Sequence, residues 1–317
     1  MRAVILDDKL RFVKDYPAPE VRPGWALIRV QQAGICRTDM ELMKGYMGFK
    51  GVLGHEFLGV VELCDDKNWV GRRATGEINV ACGHCDWCKK GLDRHCPDRT
   101  VLGILNHDGC MADYCTLPVA NLIEIPGTVT DDRAILIEPL SAACEILEQV
   151  PLGGSEKIVV LGDGRLGILC AWALSTVVAD VTLVGHHPEK LEMAGWRHLK
   201  TALDAANINP GVDVVVDATG SGSGINQAMS LCRPRGTIVL KSTVASQGEL
   251  NLAPIVVNEI TVIGSRCGRF KDGLQMIESY PDMPLERLLT ARYPIEQTIA
   301  AFDRATQSDA LKVLLEM

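Results

Sequence analysis

The sequence predicts an α/β chain of two domains, with a doubly wound parallel sheet lying between two parts of a β-rich domain. Three observations predict it. From about residue 139, apolar runs rich in β-branched residues alternate with helix-length segments, the pattern of parallel strands buried on both faces. The first of these runs ends in a glycine-rich turn that opens a helical stretch. On either side of this block the chain reads as short strands interrupted by proline and glycine. A length of 317 residues suits about two domains.

The elements follow in order. AVIL, FVKDY and WALIRVQQAGI are strand-like and are separated by Pro17, Pro19, Pro23 and Gly24. A cysteine-rich lobe occupies residues 82–96. ADYCTL and NLIEI then lead to a turn at Pro126 and Gly127. KIVVLG, LGILCAWALSTVV, DVTLVG, VDVVVDATG, GTIVLKS and ITVIGS follow as strand, helix and four further strands of a βαβ domain. From about residue 268 there are two helical stretches and a closing strand, KVLLEM. The expected boundaries are residues 1–138 with 268–317 for the β-rich domain, and 139–267 for the parallel sheet.

Composition narrows the function classes. Hydrophobic residues make up 47% and charged residues 23%, which excludes wholesale disorder. No apolar run is long enough for a spanning helix, and MRAVILDDKLRFVKDY carries charges where a signal peptide needs an apolar core. The net charge of -8 and only 5% aromatic residues argue against nucleic acid as a partner. Twelve cysteines without an export signal point to metal in a reducing compartment, the cytoplasm, rather than to disulfides.

Cys82-x2-Cys85-x2-Cys88-x7-Cys96 is the most specific motif. Each x2 step lets a tight turn aim two sulfurs at one point, and the x7 loop returns a fourth. Four thiolates suit tetrahedral Zn²⁺ and leave no open position, so this metal would be structural. The lobe is too short and glycine-rich to bury a core, so zinc would supply its folding energy. His84 and His95 lie within it and are not needed as ligands.

The turn Val159-Val160-Leu161-Gly162-Asp163-Gly164-Arg165-Leu166-Gly167 has the G-x-G-x-x-G pattern of a Rossmann dinucleotide site. Gly162 allows the tight turn, Gly164 lets a pyrophosphate approach the backbone, and Gly167 lets the helix pack on the sheet. Arg165 and Leu166 begin the helix whose amino terminus faces the phosphates. An NAD site usually places an acid at the end of the second strand. Here that strand ends in Gly185-His186-His187-Pro188. The missing carboxylate removes repulsion against a 2′-phosphate, and His186, His187 and Lys190 could contact one, so the sequence favours NADP(H).

Together these pieces resemble the zinc-dependent medium-chain dehydrogenase/reductase family, which includes alcohol, sorbitol and threonine dehydrogenases. The carriers are AGICRTDME, VLGHEFLGVVE, the four-cysteine lobe, DGCMADYCTLP, IEPLSAACEIL, VVLGDGRLG, DATGSGSG and LKVLLE. The resemblance implies a GroES-like catalytic domain beside the Rossmann domain. It also implies two zinc ions per chain and hydride transfer between an alcohol or polyol, or its carbonyl form, and a nicotinamide cofactor.

By position, the resemblance makes Cys36 and His55 ligands of a catalytic zinc. Glu138, 24 residues before Gly162, stands in the third ligand's place. Cys144 is the alternative, but it lies closer to the turn than the family spacing. Thiolate, imidazole and carboxylate would neutralise zinc and leave one position open. Glu56 resembles the acid behind the metal, which can exchange onto it. Asp39 resembles the carboxylate that orients the ligand histidine. Thr38 resembles the hydroxyl that takes the alcohol proton, Arg37 the pyrophosphate-binding residue, and Lys312 the basic residue near the family's carboxy terminus, which the resemblance makes a second cofactor-binding position.

The sequence also departs from the pattern. The relay histidine five residues after the ligand cysteine is Glu41, so either Glu41 or water passes the proton outward, or the relay is lost and turnover is slow. The segment between Cys36 and the lobe is short, which changes the pocket rim; Tyr46, Met47, Phe49 and Leu102 are its candidate lining. Relatives pair as homodimers or homotetramers through the cofactor-domain sheet, and ITVIGSR is the expected edge. The rivals are a zinc-independent quinone or enoyl reductase of the same superfamily, and a non-catalytic dinucleotide-binding sensor.

Overall fold

The computed structural model describes residues 1–242 and 250–317. The chain forms two compact units, Met1–Glu138 with Leu288–Met317, and Pro139–Arg287.

In the first unit, the long strand Trp25–Ile35 is the spine of a seven-stranded sheet. It pairs antiparallel with Glu56–Cys64 on one side and with the carboxy-terminal strand Lys312–Glu316 on the other. Alternation along the spine puts Ala26, Ile28 and Val30 into the core while Arg29 points outward. The closing strand also pairs parallel with Leu289–Pro294, so the last thirty residues complete the sheet begun by the first. A smaller sheet joins Leu10–Val13, Ala3–Leu6 and Gly51–Val52.

The second unit holds six parallel strands. Numbered along this unit, their spatial order is 3-2-1-4-5-6, running Lys200–Ala202, Asp180–Val184, Lys157–Leu161, Val212–Asp217, Cys232–Leu240, Thr261–Gly264. That is the doubly wound order, and its reversal between the first and fourth strands opens a crevice at their carboxyl ends. The helix Arg165–Ser175 is buried at every position from Gly167 to Ser175, as expected of an element apolar all round. Its Trp172 is fully buried and still satisfied, donating its indole N–H to the Ala194 carbonyl at 2.7 Å.

The expected boundary at 267/268 falls instead at 287/288. Polar contacts tie the intervening residues to the parallel-sheet unit. Arg269 pairs with Glu148 at 3.2 Å, Trp196 donates to Asp282 at 3.0 Å, and Arg287 donates to the Gly195 carbonyl at 3.3 Å. Helical periodicity located the helix Phe270–Ser279 but could not say which sheet it covers. No helix among the described residues is long and apolar enough to cross a membrane.

Candidate functional site

The strand register assembles a donor cluster in the first unit, with His55 and Glu56 buried and Cys36 half-buried. Gly34 pairs with Glu56, so Cys36, just past the end of one strand, meets His55, just before the start of the other. Gly54 forces the corner that delivers His55. It sits at φ +97°, and a Cβ there would lie 2.9 Å from the Met111 backbone nitrogen. One donor atom from each of Cys36, His55 and Glu56 lies within 4.8 Å of the others. Glu138 is not among these three; it is half-buried in the first turn of the helix Ile137–Gln149.

Asp39 braces the cluster from the helix Arg37–Met43. Its Oδ2 accepts the Cys36 backbone N–H at 2.7 Å, which caps the helix. Its Oδ1 faces His55 Nδ1 at 3.5 Å, and both atoms are buried without a hydrogen bond. Nδ1 is thus turned to a carboxylate, and Nε2 is the nitrogen left for an ion. Burial pushes the His55 pKa down. Asp39 and Cys36 more than reverse this and hold it well above its ordinary value. A soft thiolate, a braced imidazole and a carboxylate are a donor set suited to zinc.

Lys312 is placed differently from its expected role. Its side chain is wholly buried, and its ammonium is bound by the Glu56 carboxylate and by the Ile35 carbonyl at 3.1 Å. An ammonium so enclosed cannot meet a cofactor, so we correct the cofactor-binding assignment: Lys312 positions Glu56. Gly34, which the sequence reading missed, makes this possible, because a Cβ there would collide with the Glu56 carboxylate. Strand pairing was the missing signal.

Thr38 Oγ1 accepts from the Cys36 thiol at 3.8 Å. Arg37 is exposed and pairs with Glu41 at 3.3 Å; Glu41 also receives Lys44 at 3.0 Å. Of the expected pocket residues, Tyr46 and Met47 are exposed, whereas Phe49 and Leu102 belong to the buried core and not to a rim. The thiol of Cys110, in the DGCMADY motif, donates to the Glu56 carbonyl at 3.5 Å and so packs beneath the cluster.

The cysteine lobe brings its four sulfurs together. Cys82 and Cys88 are 4.0 Å apart, Cys85 and Cys88 3.4 Å, and Cys85 and Cys96 3.8 Å. Four sulfurs about 2.3 Å from a tetrahedral ion are separated by about 3.8 Å, so the lobe fits zinc. The backbone N–H groups of His84 and Cys85 pull Cys82 down to about 6, while burial pushes Cys88 up to about 12. His84 has its Nδ1 against the Cys82 carbonyl at 2.9 Å and lies outside the ligand set.

In the second unit the glycine turn has the space a dinucleotide needs. Gly162, at φ +109°, leaves no room for a side chain, since a Cβ would lie 2.6 Å from the Ala218 carbonyl. Gly167 presses against the Gly162 carbonyl. A Cβ on Gly164 would meet nothing within 4 Å, so the backbone at the start of the helix Arg165–Ser175 is open to a ligand. Leu166 follows Arg165 in the first turn of that helix.

The end of the second strand departs from expectation. Asp163 reaches across the turn to it. Its Oδ2 accepts from the backbone N–H groups of His186 at 2.7 Å and His187 at 2.8 Å, and contacts His187 Nδ1 at 3.0 Å. Burial raises the Asp163 pKa, but the donors of His187 and His186 outweigh it and hold the carboxyl below its ordinary value. Lys190 is only 6% exposed, within the helix Pro188–Met193.

A family model described as the alcohol dehydrogenase GroES-like domain matches residues 22–127, and one described as the glucose dehydrogenase C-terminus matches residues 131–317. The chain is 28% identical over 335 residues to the D-arabitol-phosphate dehydrogenase of Enterococcus avium, covering 98% of this chain and 94% of that one. It is 27% identical over 343 residues to the sorbitol dehydrogenase of Bacillus subtilis, covering 99% and 97%. Among solved structures, an alcohol dehydrogenase from Thermus sp. ATN1 matches with a TM-score of 0.87 at 26% identity, covering 100% of this chain and 99% of that one. A short chain alcohol dehydrogenase from Escherichia coli CFT073, complexed with NADH, matches with a TM-score of 0.89 at 25% identity, again covering 100% and 99%.

Proposed function

The chain belongs to the zinc-type medium-chain dehydrogenase/reductase family, and from that premise we propose that it is a zinc-dependent alcohol or polyol dehydrogenase using a nicotinamide cofactor. One observation carries the reading: the Cys36 thiol, from one segment, and the adjacent His55 imidazole and Glu56 carboxylate, from another, offer donor atoms within 4.8 Å of one another. Zinc-independent relatives have no use for such a set.

When bound, zinc would supply Lewis acidity to an alcohol or carbonyl oxygen, and the nicotinamide would accept or return the hydride. Cys36 and one carboxylate cancel the ion's two charges, and neutral His55 adds none. Asp39 fixes the His55 ring by facing Nδ1. Thr38, beside Cys36, takes the alcohol proton at Oγ1. Glu41, one turn further along the helix, is engaged by Lys44 and Arg37, so water carries the proton away.

We assign Glu138 as third ligand and Glu56 as the acid behind the ion, held there by Lys312. Zinc content and turnover with an alcohol panel test this. The wild type should hold two zincs per chain, and Glu138→Gln one; Glu56→Gln should keep both. A wild type with a single zinc would defeat the dehydrogenase reading, whereas loss of zinc from Glu56→Gln alone would exchange the two glutamates' roles.

We further propose that two copies pair along the outermost strand of the parallel sheet, Thr261–Gly264, as a homodimer or within a homotetramer. It is an unpaired edge among the described residues, and Val256, Val257 and Val262 are exposed nearby in the chain. Twelve cysteines, none in a disulfide among the described residues, suit the cytoplasm. Because Asp163 stands at the second strand's end, we do not carry the sequence-based preference for NADP(H) into this reading.

A further inference from the structure

We infer that Asp163, lying between the first two glycines of the turn, sets the cofactor choice and selects NAD(H) over NADP(H). The inference rests on the dinucleotide reading of that turn. The sequence lacks an acid at the end of the second strand, but the folded chain has a carboxylate there, supplied by the neighbouring strand's turn. Gly185 records the substitution: a Cβ at that position would collide with the Asp163 carboxylate, so no strand-end aspartate or glutamate would fit.

Two physical effects follow. The first concerns donors. A 2′-phosphate needs N–H groups or cations to replace its lost water. The backbone N–H groups of His186 and His187 and the His187 ring nitrogen Nδ1 are all engaged by Asp163 Oδ2, which leaves the exposed His186 ring to face a phosphate without them. Lys190, the nearby cation, is almost wholly buried. The second is charge. Asp163 is 7% exposed, where solvent screens little, so a fixed anion there opposes a phosphate dianion. The other oxygen, Oδ1, takes no hydrogen bond among the described residues and is the acceptor left for a ribose hydroxyl.

Equilibrium binding tests this without turnover. Dissociation constants for NAD⁺ and NADP⁺ would be measured by calorimetry on the zinc-loaded full chain, for the wild type, Asp163→Asn and Asp213→Asn. Asparagine keeps the size of the side chain and an oxygen acceptor for the corner while removing the charge. Asp213 is a control carboxylate in the same unit; it accepts the Lys157 N–H at 2.8 Å and pairs with Arg233. The wild type should bind NAD⁺ at least tenfold more tightly than NADP⁺. Asp163→Asn should narrow that ratio tenfold or more, chiefly through tighter NADP⁺ binding, and Asp213→Asn should leave the ratio unchanged. A wild type that prefers NADP⁺ overturns the inference, and that result needs no variant to fold. So does an Asp163→Asn protein that weakens for both nucleotides by the same factor, since Asp163 would then only brace the corner. If neither nucleotide binds the wild type, the dinucleotide reading itself falls, an outcome distinct from both.

Discussion

The first unit carries two sets of candidate metal donors, built in opposite ways. The lobe draws four sulfurs from Cys82, Cys85, Cys88 and Cys96, within fifteen consecutive residues, and three of the four are only half-buried. The second cluster draws on Cys36, His55 and Glu56, which are brought together by strand register and braced by Asp39 and by Lys312 from the far end of the chain. The local site has little structure of its own, so a metal bound there would have to hold it. The long-range site is held by the fold, so a metal there is free to do chemistry.

The largest expected effects separate the two sites in opposite directions. Cys36→Ser should lower turnover by a factor of about 10³ or more, the several kcal/mol that a catalytic zinc supplies, while leaving the melting temperature nearly unchanged. Cys96→Ser should remove the lobe's zinc and lower the melting temperature by several degrees at least, because structural zinc binding is folding energy. Thermal unfolding alongside initial rates would show it. If both variants moved the same observable, the contrast between a site held by metal and a site held by the fold would be wrong.

Lys312 tests what the fold contributes. Removing one partner of a buried ion pair leaves an uncompensated charge and costs about 3–5 kcal/mol. Lys312→Met should therefore destabilise the chain by about that much, measured by urea unfolding. Adding Glu56→Gln should restore most of the loss, since the stranded carboxylate is then neutral. A double variant no more stable than the single one would show that Lys312 acts through packing alone.

Asp39 is next in size. Asp39→Asn keeps an acceptor for the Cys36 N–H but removes the charge facing His55 Nδ1. Loss of such a bracing carboxylate costs about 10–100-fold in metal affinity or activity. Zinc competition with a chelator would measure it, and only the Cys36 cluster should weaken. Equal weakening of the cysteine lobe would mean a general loss of structure.

The same contrast explains what the sequence disclosed. The lobe and the glycine turn are local patterns whose spacing carries their chemistry, so residues 82–96 and 162–167 were legible directly. The parallel sheet was legible because strands buried on both faces leave continuous apolar runs such as KIVVL. What stayed hidden depends on pairing. The burial of Lys312 on Glu56, the role of Gly34 and the attachment of Phe270–Ser279 to the second unit all follow from contacts between distant segments. Cys36 and His55 were singled out by resemblance, since their spacing alone does not say that they meet. Asp163 is the instructive case: a linear search for an acid at the second strand found none, because the carboxylate arrives from the turn after the first.

The smallest expected effect concerns that residue and extends the contrast to the second unit. Asp163 joins two strand ends through a charge with three donors, so part of the corner's stability should depend on ionisation. Its pKa is held below the ordinary carboxyl value, so the folded chain binds the proton less readily than the unfolded chain does. The stabilisation is therefore complete above the unfolded pKa of about 4 and disappears as pH falls through the lower folded value. Its size should be on the order of 1 kcal/mol, the net scale of a typical hydrogen bond, because asparagine keeps an oxygen acceptor. Melting temperatures of the nucleotide-free wild type and Asp163→Asn, compared from neutral pH downward, would read it. The two curves should be separated at neutral pH and converge below about pH 4. A gap of constant width would mean that the neutral amide and the carboxylate brace the corner equally, so that charge contributes nothing to this long-range contact.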